Sequence, residues 1–202
     1  MEILKRSIII IFVLLGLNAN AQSLQEAFIK SYKYESEAKY DDAAKEILKH
    51  YDKSSYVINL RLGWLMYMAE QYDKSSQYYQ LSIKQKPLSI EALLGKTYPE
   101  SVLGNWDNVI SLYKEVLQIA PNNYTANLKL AQIYLNTKKY SDADKYVKLI
   151  LSQYPFNFDV LIVAAWNNYY LGKLREAKIL FNNALLLYPN NESATEGLSK
   201  IK

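Results

Sequence analysis

Four prolines, Pro87, Pro121, Pro155 and Pro189, stand 34 residues apart three times in succession in a chain of 202 residues. A fixed interval of that length means one supersecondary unit repeated, each copy too small to bury its own apolar face and stacked on the next. Proline cannot continue a helix, so each marks a helix end and the turn before the next helix. The stretches before the last three, Val109–Ala120, Ala143–Tyr154 and Ala177–Tyr188, are apolar at helical spacing. Asn or Phe-Asn follows each of these three prolines.

Other columns keep the same interval. Tyr40, Tyr72, Trp106, Tyr140 and Leu174 precede a helix start, and Asp41, Asp73, Asp107 or Ser141 follows in four of the five. These types accept hydrogen bonds from free backbone N–H groups and suit the positive end of a helix dipole. Three residues after the aromatic column come Ala43, Ser75, Val109, Ala143 and Ala177, which allow close helix approach. One turn further along the same face come Ile47, Tyr79, Tyr113, Val147 and Phe181.

On these residues the chain resembles the tetratricopeptide-repeat family, whose 34-residue helix-turn-helix carries Leu-Gly, an aromatic, Ala and Pro at set positions. Leu62-Gly63 with Met66, Leu130-Ala131 with Tyr134, and Ala164-Ala165 with Asn168 occupy its first-helix positions. The resemblance implies an all-α fold, a right-handed superhelical solenoid of antiparallel helix pairs, with first helices lining a concave face. Its repeats would be 24–55, 56–89, 90–123, 124–157 and 158–191, followed by a capping helix at 192–202. The first is degenerate, with Ser55 in place of proline and His50 where Ser82 and Ala184 are small. His50 is read as lying on the core-facing side of its second helix. In the third, Leu94-Gly95 lies nine residues before Gly104 where the family spacing is seven, and Pro99 falls inside the first helix. Proline in a helix interior costs ~3 kcal/mol or more, so a kink in a slightly long helix is expected there.

The N-terminus is read separately. Lys5 and Arg6 precede the apolar run Ile8 to Leu17, and Ala19-Asn20-Ala21 follows. This is the pattern of a secretory signal peptide over residues 1–21, with domain 22–202 exported. The run is shorter than the roughly 20 apolar residues of a membrane-spanning helix, so no transmembrane segment is expected after cleavage. Three arginines against 21 lysines point to an AT-rich bacterial genome, and hence to the periplasm or cell envelope. Asn123-Tyr124-Thr125 and Asn191-Glu192-Ser193 match the glycosylation triplet, but the pattern is short enough to arise by chance.

Composition narrows the chemistry. The absence of cysteine removes thiolate catalysis, disulfides, zinc–cysteine sites and a cysteine-linked lipid anchor. One histidine leaves no His-based metal cluster. A net charge of +4 is no footprint for nucleic acid. Asp41-Asp42 and Asp142/Asp144 fall at helix starts, where capping explains them, and no glycine-rich phosphate loop is present. No enzyme, cofactor or metal is therefore expected. By family register the groove residues are Trp64, Tyr67 and Met68; Gln132, Leu135 and Asn136; and Trp166, Tyr169 and Tyr170. Such aromatic side chains dominate interface energetics, which points to a segment of another protein as the ligand. Two other readings stand beside this one: a structural subunit of an envelope or secretion assembly, and a binder of glycan or peptidoglycan fragments. Oligomeric state is not legible.

Overall fold

The computed structural model describes residues 23–201, and the expected leader, 1–21, lies outside the described residues. All regular elements among the described residues are helices. The first, α1, covers 23–36. It is followed by α2 (Tyr40–Leu48), α3 (Tyr56–Met68), α4 (Tyr72–Gln85), α5 (Ile90–Val102), α6 (Trp106–Ile119), α7 (Tyr124–Asn136), α8 (Tyr140–Gln153), α9 (Phe158–Tyr170), α10 (Leu174–Leu187) and α11 (Glu192–Lys200).

The register is set by a column that the prolines conceal. Ser55, Ser89, Asn123, Asn157 and Asn191 are the N-caps of α3, α5, α7, α9 and α11. Each side chain accepts a hydrogen bond from the backbone N–H three residues on, satisfying a donor the helix start leaves free. This gives Asn123 and Asn191 of the glycosylation triplets a structural role. Odd-numbered and even-numbered helices differ here. Lys39, Gln71, Lys139 and Lys173 precede α2, α4, α8 and α10 with no side-chain cap bond. Asp41, Asp73, Asp107 and Asp142 thus lie inside the first turn, where they favour the helix dipole and do not serve as caps.

The turn within each pair is equally regular. Ala38, Glu70, Gly104, Lys138 and Gly172 all have positive φ, between 56° and 75°. Each lets the next amide reach back five residues, as in Lys139 N–H to Tyr134 O (2.8 Å) and Gln71 N–H to Met66 O (2.8 Å). This is the Schellman closure of a first helix.

The described residues form two compact units divided between Trp106 and Asp107. In the first, Ala43, Ala44, Ile47, Ile58, Leu62, Leu65 and Met66 make a buried cluster, with Leu24, Phe28, Tyr34, Trp64 and Tyr78 against it. Tyr79 of α4 fills the space over two glycines. A Cβ on Gly63 would stand 2.9 Å from its ring, and one on Gly95 of α5 would overlap it. Burial pushes the Tyr79 phenol well above its ordinary range. The second unit repeats the device, with Phe181 of α10 over Gly197 of α11. Val147 and Val163 hold the same two register positions between α8 and α9, and both are buried. A large ring thus faces glycine, and a medium side chain faces a medium one.

Tyrosines tie successive caps together. The Tyr56 hydroxyl shares a hydrogen bond with Ser89 Oγ (2.7 Å), and Tyr124 donates to Asn157 Oδ1 (3.1 Å). Tyr124 also packs edge-on against Tyr154, as Phe158 does against Tyr188.

Two expectations for the early repeats are corrected. α2 has only nine residues and stops at Leu48, so half-buried His50 belongs to the following turn and not to a helix. α5 runs through Pro99 without a break and has 13 residues, as α3, α7 and α9 do. Counted from cap Ser89, the Leu-Gly place is filled by Lys96-Thr97 and the aromatic place by Glu100, so Leu94-Gly95 is not the family pair. Lys96 and Glu100 are 8% and 4% exposed. Their charges are held by partners: Lys96 Nζ donates to Gln80 Oε1 (2.6 Å), and Glu100 accepts from Ser76 Oγ and from Asn105 Nδ2 (2.8 Å). A buried charge without such partners would cost several kcal/mol.

Candidate functional site

Each unit carries a cluster of rings on its first helices. In the first unit, Trp64 and Tyr67 of α3 meet Tyr98 of α5 and Tyr72 of α4. Tyr67 is the hub, with ring centroids 5.9 Å from Trp64, 5.5 Å from Tyr98 and 5.8 Å from Tyr72. Tyr98 is 49% exposed, although Lys96, Thr97, Pro99 and Glu100 around it are buried. The polar interior of α5 therefore anchors the helix while one ring stands clear.

Trp64 is held from α1. Its indole N–H donates to Glu35, whose other oxygen pairs with Arg61 at 2.6 Å. Arg61 is buried, donates to Ser31 Oγ (3.2 and 3.0 Å) and lies 4.0 Å from the Tyr32 ring centroid. Each guanidinium nitrogen and both carboxylate oxygens thus have a partner, which lowers the penalty for burying the pair.

In the second unit, Leu135 and Asn136 of α7 face Trp166 and Tyr170 of α9 across a cleft of about 320 Å³. Lys138 and Tyr140 complete its lining. Tyr140 and Tyr170 stack at 4.7 Å and 8° between planes, and Trp166 stacks on Tyr170 at 5.8 Å and 26°. Tyr169 meets both α9 neighbours edge-on. The Trp166 indole N–H donates to Ser193 Oγ of α11 (2.8 Å), and its ring packs edge-on against Phe181.

The residues expected at the site divide accordingly. Leu135, Asn136, Trp166 and Tyr170 come together in one cleft, with Tyr169 beside it. Trp64 and Tyr67 join the first unit's cluster. Met68 and Gln132 are half-buried. Gln132 does not line the cleft. Tyr32, Tyr98, Tyr140 and Lys138 were missed. Tyr32, Trp64, Tyr98 and Trp166 all lie six residues before a positive-φ turn residue, so reading back from that column would have found Tyr32 and Tyr98. Among the described residues there is no group of three His, Cys, Asp or Glu able to hold a metal ion.

The family model for the tetratricopeptide repeat matches residues 103–166. Over that segment the chain carries tetratricopeptide repeats. Several solved structures share its fold at low identity. A tetratricopeptide repeat protein from Parabacteroides merdae superposes with a TM-score of 0.77 at 17% identity, covering 89% of this chain and 72% of that one. YrrB, described as a tetratricopeptide-repeat protein with an unusual peptide-binding site, gives 0.73 at 12% identity over 92% and 97%. MamA of AMB-1 gives 0.70 at 18% identity over 84% and 93%. In sequence, the CTR9 homolog of Arabidopsis thaliana is 28% identical over 130 residues, 64% of this chain. The chain spans only 12% of that protein's length. No described helix is long and apolar enough to cross a membrane.

Proposed function

We propose that this chain is a non-catalytic interaction scaffold, exported to the periplasm or cell envelope, that holds a segment of a partner protein against the ring clusters of its first helices. The observation that carries the reading is exposure within order. Tyr98 and Tyr170 are 49% and 48% exposed, yet each is packed against other rings that fix its position. Large side chains already ordered before binding lose little entropy on contact, which is what interface hot spots require. The peptide-binding site of YrrB, a structural neighbour, supports the same use of the fold. The basic start and apolar run of residues 5–17 support export.

Crosslinking in intact cells tests this directly. A single partner species is expected, reduced at least tenfold by Tyr98→Ala or Tyr170→Ala with the melting temperature of each variant within a few degrees of wild type. N-terminal sequencing of the exported chain should begin near Gln22. Unchanged crosslinking in both variants overturns the groove assignment, and a chain retained with Met1 overturns export by cleavage.

A further inference from the structure

The second unit's cleft has a chemistry that goes beyond a generic apolar groove. We propose that it receives an acidic segment of the partner, in which a large apolar side chain stacks beside Trp166, Tyr170 and Tyr140 while the adjoining Asp or Glu carboxylate pairs with Lys138. The proposal rests on the scaffold reading above and names the ligand chemistry of that same site.

Three observations carry it. The first is charge. The lining comprises Leu135, Asn136, Lys138, Tyr140, Trp166 and Tyr170, so its one charged group is an ammonium and no carboxylate faces it. Lys138 forms none of the ion pairs within the described residues, whereas neighbouring Lys148 and Lys173 are both taken by Asp144. A lysine lining an aromatic cleft, with no ion-pair partner among the described residues, is complementary to an anion.

The second is the distribution of donors and acceptors. The Trp166 N–H is already used by Ser193. The lining offers an ammonium, an amide and phenol groups, but no carboxylate to accept from ligand hydroxyls. A sugar, rich in donors, finds few acceptors here; a carboxylate finds a cation. The third is size. About 320 Å³ lies at the small end of ligand pockets, which run from roughly 300 to 1,000 Å³. It suits one large side chain, with the rest of the segment outside.

Lys138 also makes the idea separable from folding. It stands at φ +60°, a left-handed conformation that glycine adopts freely and that Gly104 and Gly172 occupy in the corresponding turns. Lys138→Gly therefore removes the charge while relieving the backbone, so a lost ligand cannot be blamed on a lost fold.

The test is an NMR titration of the full chain, following the Trp166 indole N–H, assigned by its disappearance in Trp166→Phe. The probes are acetyl-Phe-Asp-amide, its neutral counterpart acetyl-Phe-Asn-amide, acetyl-Asn-Phe with a free terminal carboxylate, and an N-acetylglucosamine trimer. Acetyl-Phe-Asp-amide should bind at least fivefold more tightly than the Asn probe at low salt. That advantage should shrink in 0.5 M salt and vanish in Lys138→Gly, whose melting temperature stays equal or rises. Equal affinity for the Asp and Asn probes, an advantage that survives Lys138→Gly, tighter binding of the terminal carboxylate, or a response to the trimer alone each overturns the proposal. If the Asp probe fails while crosslinking in cells still depends on Tyr98, the cleft assignment falls and the scaffold reading stands.

Discussion

Asn167 is the residue whose environment fits it least. It is fully buried in α9, and both its amide nitrogen and its oxygen lack a hydrogen-bond partner among the described residues. A buried polar group left unpaired costs about 1–3 kcal/mol. Asn59 and Asn127, at a different register position, avoid most of this by donating to two carbonyls each, Lys53 and Ser55 in one case, Pro121 and Asn123 in the other. Leu65 occupies the place in α3 that Asn167 occupies in α9, ten residues after the cap, and is fully buried. Asn167→Leu is therefore expected to raise stability by about 1–2 kcal/mol, read as a higher urea midpoint with an unchanged slope. A loss of stability would show that the amide is satisfied by a buried water. No periodicity argument finds Asn167, because its position is apolar in most repeats and the exception has no local signature.

At the scale of the element, the fold depends on pairs of residues in different helices whose sizes match. The ring of Phe181 lies where a side chain on Gly197 would have to be, and Tyr79 stands in the same relation to Gly95. Gly197→Ala should cost about 1–3 kcal/mol through overpacking. Combining it with Phe181→Val should recover part of the loss, since Val147 and Val163 show that medium side chains fit both places. Thermal melts of the two single variants and the double variant measure this coupling, and strict additivity would show that the two residues do not share space.

Legibility from sequence divides along the same line. The 34-residue interval and the small-residue column are chemical necessities of close helix approach, and they stand plainly in Pro87 to Pro189 and Ala43 to Ala177. The register of α5 does not, because Lys96, Thr97 and Glu100 replace the side chains that usually mark it. The resulting slip hid Tyr98. The cap column would have fixed the register, since Ser89 lies 34 residues after Ser55. Lys138 was passed over for another reason: turn lysines are common on surfaces, and only geometry shows this one lining a cleft.

For the whole molecule, one carboxylate links helices of neighbouring repeats. Asp144 of α8 binds Lys148 at 2.6 Å and Lys173, before α10, at 3.3 Å. Burial pushes its carboxyl up, but the two ammonium groups outweigh burial and hold it below its ordinary value of 3.8. A depressed folded-state value means the contribution is fully present above the unfolded value and is lost as pH falls through the folded one. Wild type should therefore exceed Asp144→Asn in stability at pH 6, and the gap should close below about pH 4. Urea titrations at a series of pH values check this; a gap that does not narrow as pH falls below about 4 would assign the effect to packing.

The bonds from Tyr56 to Ser89 and from Tyr124 to Asn157 bear on how such a chain lengthens and shortens over evolutionary time. Each tyrosine opens one segment and each cap closes it, so the heritable module runs from Tyr124 to Asn157 and not from one proline to the next. A gene duplication with breakpoints on those boundaries copies a segment with both ends of its hydrogen bond inside it. A deletion there joins Asn123 directly to Phe158, leaving a competent cap at the seam. Recombination that respects the caps can thus change the number of repeats without first requiring a compensating substitution.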